Sequence, residues 1–165
     1  MTTLFQTNYR KDLANRKLFV ERSFDAPLAT VWKAWTDKDI LDQWWAPRPW
    51  KAKTKSLVFQ TGGHWLYAMS GPDGETHWSK AVYRSVDPQK GFHGVDHFCD
   101  EEGNPNLAFA SSEWKVQFVA TGSQTLVKVE LSFESEAAMK QLIEMGFEQG
   151  FAMAHTNLDE LLAKK

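Results

Sequence analysis

The run HGVDHF places His93, Asp96 and His97 within five positions. On a helix, histidines four apart share a face and can close on one metal ion. Here the neighbouring residues read as a strand entering an acidic turn, where four positions span ~13 Å, too far for a shared ion. Structural histidines are the better reading. Asp100, Glu101 and Glu102 with Asn104 offer oxygen ligands but lack the spacing of a calcium loop, so a solvated turn is expected and no metal. Cys99 is the only cysteine. It fits a small buried apolar group better than a nucleophile, and the lack of a disulfide partner fits a reducing, cytoplasmic setting.

Other catalytic patterns are missing. No serine stands in a nucleophile elbow. Gly62-Gly63 bends into a strand and no helix start follows, so it makes no phosphate cradle. An acid–base enzyme would need a carboxyl or imidazole inside an apolar cavity. His64, His97 and His155 are the candidates, each with a structural role as the plainer alternative, and no catalytic constellation is identifiable. Arg22 falls on the apolar register of its strand. A buried charge needs a partner, so it marks either a structural ion pair, a snorkelling side chain at the sheet's end, or an anchor for an anionic ligand group.

At 165 residues the chain suits one domain that buries roughly 70% of its unfolded surface. Apolar residues make up 42% and charged residues 24%, which excludes disorder. A net charge of −2 without long runs of one sign gives no electrostatic grip on nucleic acid or anionic membrane. Apolar runs are too short to span a bilayer, and the first twenty residues mix charge too freely for a signal peptide. The unusual feature is aromatic content, with eight Trp and eleven Phe. Five of the tryptophans lie in VWKAWTDKDILDQWWAPRPW, residues 31–50.

The elements that position these residues follow from periodicity. A short helix is expected over 8–14, capped by Thr7, in an N-terminal extension of residues 1–16. In KLFVERSFD, Leu18, Val20 and Phe24 share a strand face. Leu28, Val31, Trp32 and Trp35 form a helical stripe after Pro27. Thr36 and Asp39 resemble a capping box for a second short helix, with Trp44, Trp45 and Trp50 in the turn that follows. Strands are expected over 53–60, 64–70, 76–86, 91–98, 112–121 and 125–133, separated by Gly, Pro and Asn turns. From Ser135 the pattern reads as one long helix, its two internal glycines offset by close approach to the sheet. The class is α+β: a curved antiparallel sheet of about six or seven strands around a long C-terminal helix, with two short helices after the first strand and residues 17–165 as a single domain.

Three stretches also resemble a known family. RSFDAPLATVWKAWTDKDILDQWWAP, GGHWLYAMSGPDGE and FESEAAMKQLIEMGFEQGFAMAHTNLDELL occur in the order seen in SRPBCC (START-like, helix-grip) proteins of the branch named for activators of the heat-shock protein 90 ATPase. The resemblance spans residues 17 to 163 and implies the helix-grip fold, with a cavity between helix and sheet. Its relatives include lipid and hormone binders, polyketide cyclases and chaperone activators. The activators carry an additional N-terminal domain where this chain has about sixteen residues, which counts against a chaperone partner.

The leading expectation is a module that binds a hydrophobic small molecule in an apolar cavity, without a cofactor. Expected lining residues are Trp65, Tyr67, Trp78, Trp114, Phe118, Phe147 and Phe151, with His64, His155 and Arg22 as polar contacts. This choice turns the Trp65–Tyr67–Met69 side of its strand inward. A cyclase- or hydrolase-type enzyme in the same cavity is the first alternative. A stress-related interaction module or homodimer is the second, and it requires Trp44, Trp45 and Trp50 to form an exposed patch.

Overall fold

The computed structural model describes residues 5–164. Eight antiparallel strands form one sheet: β1 (Asn8–Asp12), β2 (Lys17–Phe24), β3 (Lys51–Val58), β4 (His64–Ser70), β5 (Thr76–Asp87), β6 (Gly91–Cys99), β7 (Ser112–Thr121) and β8 (Gln124–Phe133). Their order across the sheet is β1-β2-β8-β7-β6-β5-β4-β3. Helices α1 (Leu28–Thr36) and α2 (Lys38–Trp44) follow β2, and α3 (Glu136–Glu144) and α4 (Phe147–Ala163) close the chain. The expected α+β helix-grip class is the one observed. Register shifts at Thr54/Ser56 and Tyr83/Ser85 mark irregularities of the kind that bend a sheet.

The inner face follows the alternation of the strands. Leu18, Val20 and Phe24 of β2, Val116 and Phe118 of β7, and Val127, Val129 and Leu131 of β8 are buried in one core. Outward neighbours such as Glu113, Lys115 and Gln117 are exposed, as a sheet with one wet face requires. Val31, Trp35, Leu41 and Trp44 bring α1 and α2 into that core, and Phe151, Ala154 and Leu158 bring α4.

Three expectations are corrected. Residues 8–14 do not form a helix: Asn8–Asp12 pairs with β2 as an edge strand. Asp12 accepts hydrogen bonds from the backbone and side-chain nitrogens of Asn15 in the turn that reverses the chain, so cross-strand bonds satisfy the backbone without a helix. The cap of α2 is Asp37, whose carboxylate accepts from the N–H groups of Asp39 and Ile40; Thr36 instead donates its hydroxyl to the Trp32 carbonyl of α1. The C-terminal segment is two helices. Ser135 caps α3 as expected, accepting from Ala138 N–H, but Gly146 takes φ 89° and divides α3 from α4. A side chain rarely tolerates that conformation.

Candidate functional site

A cavity of about 250 Å³ lies between the sheet and the α3–α4 junction. Strands β4 to β8 make its floor through Tyr67, Ser79, Asp96, Trp114 and Phe133, while Trp45 from the end of α2 makes a side wall. Leu142, Phe147 and Phe151 roof it, and Phe109 and Ala110 of the loop after β6 reach its rim. A smaller hollow of about 40 Å³ shares Trp45, Tyr67, Asp96 and Trp114 with it and continues towards Trp35 and Tyr83.

Aromatic contacts fix the walls. The Trp45 ring lies 6.2 Å from Trp114 and 5.8 Å from Phe151, centroid to centroid. Trp114 lies 5.9 Å from Phe147 and 5.8 Å from Phe151. These separations are those of favourable edge-to-face and tilted pairs, so the walls are held by one another. Polar ends of the rings are satisfied: Trp45 Nε1 donates to the Tyr67 hydroxyl at 3.0 Å, and Trp114 Nε1 donates to Ser112 Oγ at 3.1 Å.

Asp96 is the one acidic side chain in this lining among the described residues. Burial pushes its carboxyl up to about 7, so it exchanges a proton near neutrality. Burial first, and the Asp96 charge second, hold the Tyr67 and Tyr83 phenols above their ordinary range; both stay protonated. Burial, then Asp100 and Asp96, push the Cys99 thiol up to about 11, which leaves it without thiolate character. His97, at the cavity's edge, is shifted down by burial. The arrangement offers a bound molecule an apolar cage, a hydroxyl and one carboxyl able to give or take a proton.

The expected site residues separate into four groups. Tyr67, Trp114, Phe147 and Phe151 line the cavity. Trp65 faces inward but borders only the smaller hollow, stacked on Tyr67 with centroids 4.1 Å apart. Phe118 faces inward as packing for Trp32 and Trp35. The remaining four stand elsewhere. Trp78, opposite Ala68 and on the register of Lys80, leaves by the outer face beneath the Lys55 ammonium. His64 shares that face and is bonded to Ser56 Oγ at 2.7 Å. His155 is buried against Phe24 and Phe151, bonded to Thr7 Oγ1 at 2.8 Å, away from the cavity. Arg22 makes the structural pair: its guanidinium donates to both oxygens of Asp159 on α4 and to the Ser23 carbonyl.

Trp45 and Asp96 were not among the expected lining residues. Asp96 carried a usable signal. Phe92, Gly94, Asp96 and Phe98 alternate on one face of β6, so an acid falls on an otherwise apolar register, as Arg22 does on β2. Among the described residues, no three His, Cys, Asp or Glu side chains converge as a metal site. Asp100 is engaged by the backbone N–H groups of Glu102 and Asn104 and by the Asn104 amide, which makes the acidic run a self-bonded turn.

An open antiparallel sheet gripping a C-terminal helix over an aromatic cavity defines a helix-grip protein. The description "Activator of Hsp90 ATPase homolog 1-like protein" matches residues 25–163, and the chain belongs to that family, within the SRPBCC superfamily. Among solved structures it is similar to protein Ms6760 of Mycobacterium smegmatis, at 28% identity and a TM-score of 0.90, covering 97% of this chain and 98% of that one. A protein of Arthrobacter aurescens is also similar, at 28% identity and a TM-score of 0.89, covering 96% and 92% respectively. CalU16 of Micromonospora echinospora shares the fold alone, at 19% identity and a TM-score of 0.61, covering 99% and 88%. No curated protein matches the chain.

Proposed function

We propose that this protein binds a small, predominantly apolar molecule of one or two rings in the cavity between the sheet and the α3–α4 junction. The observation that carries this reading is the cavity itself, about 250 Å³ walled by aromatic side chains. An apolar cavity of ~150 Å³ admits benzene, so the available space suits a somewhat larger ligand. Binding here buries apolar ligand surface, at roughly 25 cal/mol per Å², while Asp96 and the Tyr67 hydroxyl orient one polar group. The family's fold commonly serves hydrophobic ligands, which agrees. The interaction reading loses its required patch: Trp44 is 1% exposed, Trp45 walls the cavity, and Trp50 packs beside His77.

Thermal unfolding against one- and two-ring aromatics and short amphiphiles is the test. A ligand at a hundred times its Kd adds ~2.7 kcal/mol, which raises Tm by about 5–10 °C at this size. Perturbed tryptophan emission from Trp45 and Trp114 should accompany the shift. A flat response across the panel, with unchanged emission, sinks the proposal.

A further inference from the structure

Among the described residues the carboxyl of Asp96 has no ionic partner, although the fold turns it inward. It is the only acidic side chain among the described residues that lines the cavity, and neither Lys nor Arg among them lines it. Burial alone accounts for its displaced titration; no donor or cation offsets it among the described residues. Arg22, also turned inward, has its counter-charge built in through Asp159. Asp96 instead opens onto a space enclosed by Trp45, Trp114, Phe147 and Phe151. The faces of aromatic rings attract cations, and a carboxylate among such rings lacks only the positive charge.

Resting on the small-molecule reading above, we propose that the cavity's ligand is a hydrophobic ammonium compound, with its cationic head against Asp96 and its apolar body among the rings. The missing counter-charge then comes from the ligand. Neutral ligands with an acceptor group would use the protonated acid instead, and the two cases have opposite pH dependence. A cation binds the ionised carboxyl and gains affinity as pH rises through Asp96's titration; a neutral acceptor loses it.

Asp96 is well isolated for such a measurement. Facing it are Tyr67 from β4 and Tyr83 from β5, both held protonated well past neutrality. Along its own strand are Cys99, pushed up to about 11, and His97, shifted down by burial. Trp45 from α2, Ser112 from β7 and Gln141 from α3 carry no charge. Between pH 6 and 8, ionisation of a group titrating near 7 rises about tenfold, and affinity for a cation follows it.

The probes are benzyltrimethylammonium, whose charge is independent of pH, and its neutral isostere neopentylbenzene, titrated into the intact chain at pH 6 and pH 8. The expected result is one site for the cation, about tenfold tighter at pH 8 than at pH 6, and tighter than the hydrocarbon at pH 8. Asp96→Asn should abolish both the pH dependence and the preference while still admitting neopentylbenzene. If that variant does not fold, the wild-type pH profile and the comparison of isosteres decide the matter. Equal or tighter binding of the hydrocarbon, or a cation affinity that is flat or falls with pH, overturns the ammonium assignment and leaves a neutral-ligand cavity. Binding of neither probe overturns the assignment together with the reading beneath it.

Discussion

Arg22, 3% exposed, ties β2 to α4 through two parallel hydrogen bonds to Asp159. Removing one partner of a buried pair leaves the other charge stranded, at about 3–5 kcal/mol. Asp159 is 32% exposed, so water would shield part of that loss, and Asp159→Asn should cost about 2–3 kcal/mol in urea unfolding. Arg22→Met combined with Asp159→Leu should recover most of it, because no unpaired charge then remains. A loss within experimental error for the single variant would mean that the pair contributes nothing. Sequence register revealed that Arg22 faces inward but not what awaits it, since its partner lies 137 positions away. The same limit hid Asp96: its strand face was readable, yet the cavity in front of it is made by α2, α3 and α4.

Gly146 and Gly150 look equivalent along the chain, but they occupy different kinds of element. Gly146 sits at φ 89°, with nothing within 4 Å of an added Cβ. Substitution there meets no clash, only backbone strain of roughly 1–2 kcal/mol. Gly150 is inside α4, and an added Cβ would meet Pro47 Cγ at an ordinary 3.6 Å. Gly146→Ala should therefore destabilise by about 1–2 kcal/mol, and Gly150→Ala should stabilise by up to about 1 kcal/mol, both by urea unfolding. Changes of the same sign would refute this division of roles. The helix break was not legible because hydrophobic spacing continues across it; only the backbone angle separates the two segments. By contrast, β7 and β8 were legible throughout, since both alternate between a dry and a wet face. Asn8–Asp12 lacks that alternation. It is an edge strand whose inward register holds Tyr9 and Lys11: the Tyr9 hydroxyl donates to the Glu148 carbonyl at 2.6 Å, the Lys11 ammonium pairs with the Glu148 carboxylate at 2.9 Å, and its pairing is supplied by β2.

Two inward-facing titratable groups, buried His155 and half-buried Asp96, set opposing pH responses for the molecule as a whole. His155 is held down at about 3, first by burial and then by Arg22. Its unfolded form titrates near 6.5, so between those values the unfolded chain binds the extra proton and falling pH destabilises the fold. Asp96 is raised to about 7 in the fold against about 3.9 unfolded. Across that interval the folded chain holds the extra proton, and rising pH destabilises. From about pH 4.5 to 6.5 the two slopes, each at most about 1.4 kcal/mol per pH unit, largely cancel. Wild-type unfolding free energy should accordingly be nearly level across this window. Asp96→Asn removes one slope, and its stability should climb steadily with pH over the same range. By pH 8 it should exceed wild type by on the order of 2 kcal/mol, less than the full shift implies because the cavity admits water to the carboxyl. His155→Asn should give the mirror image, losing stability as pH rises from 4.5 to 7. Urea midpoints at half-unit pH intervals provide the comparison, and parallel curves for wild type and Asp96→Asn would show that Asp96 is not the desolvated, uncompensated acid on which the ammonium assignment rests.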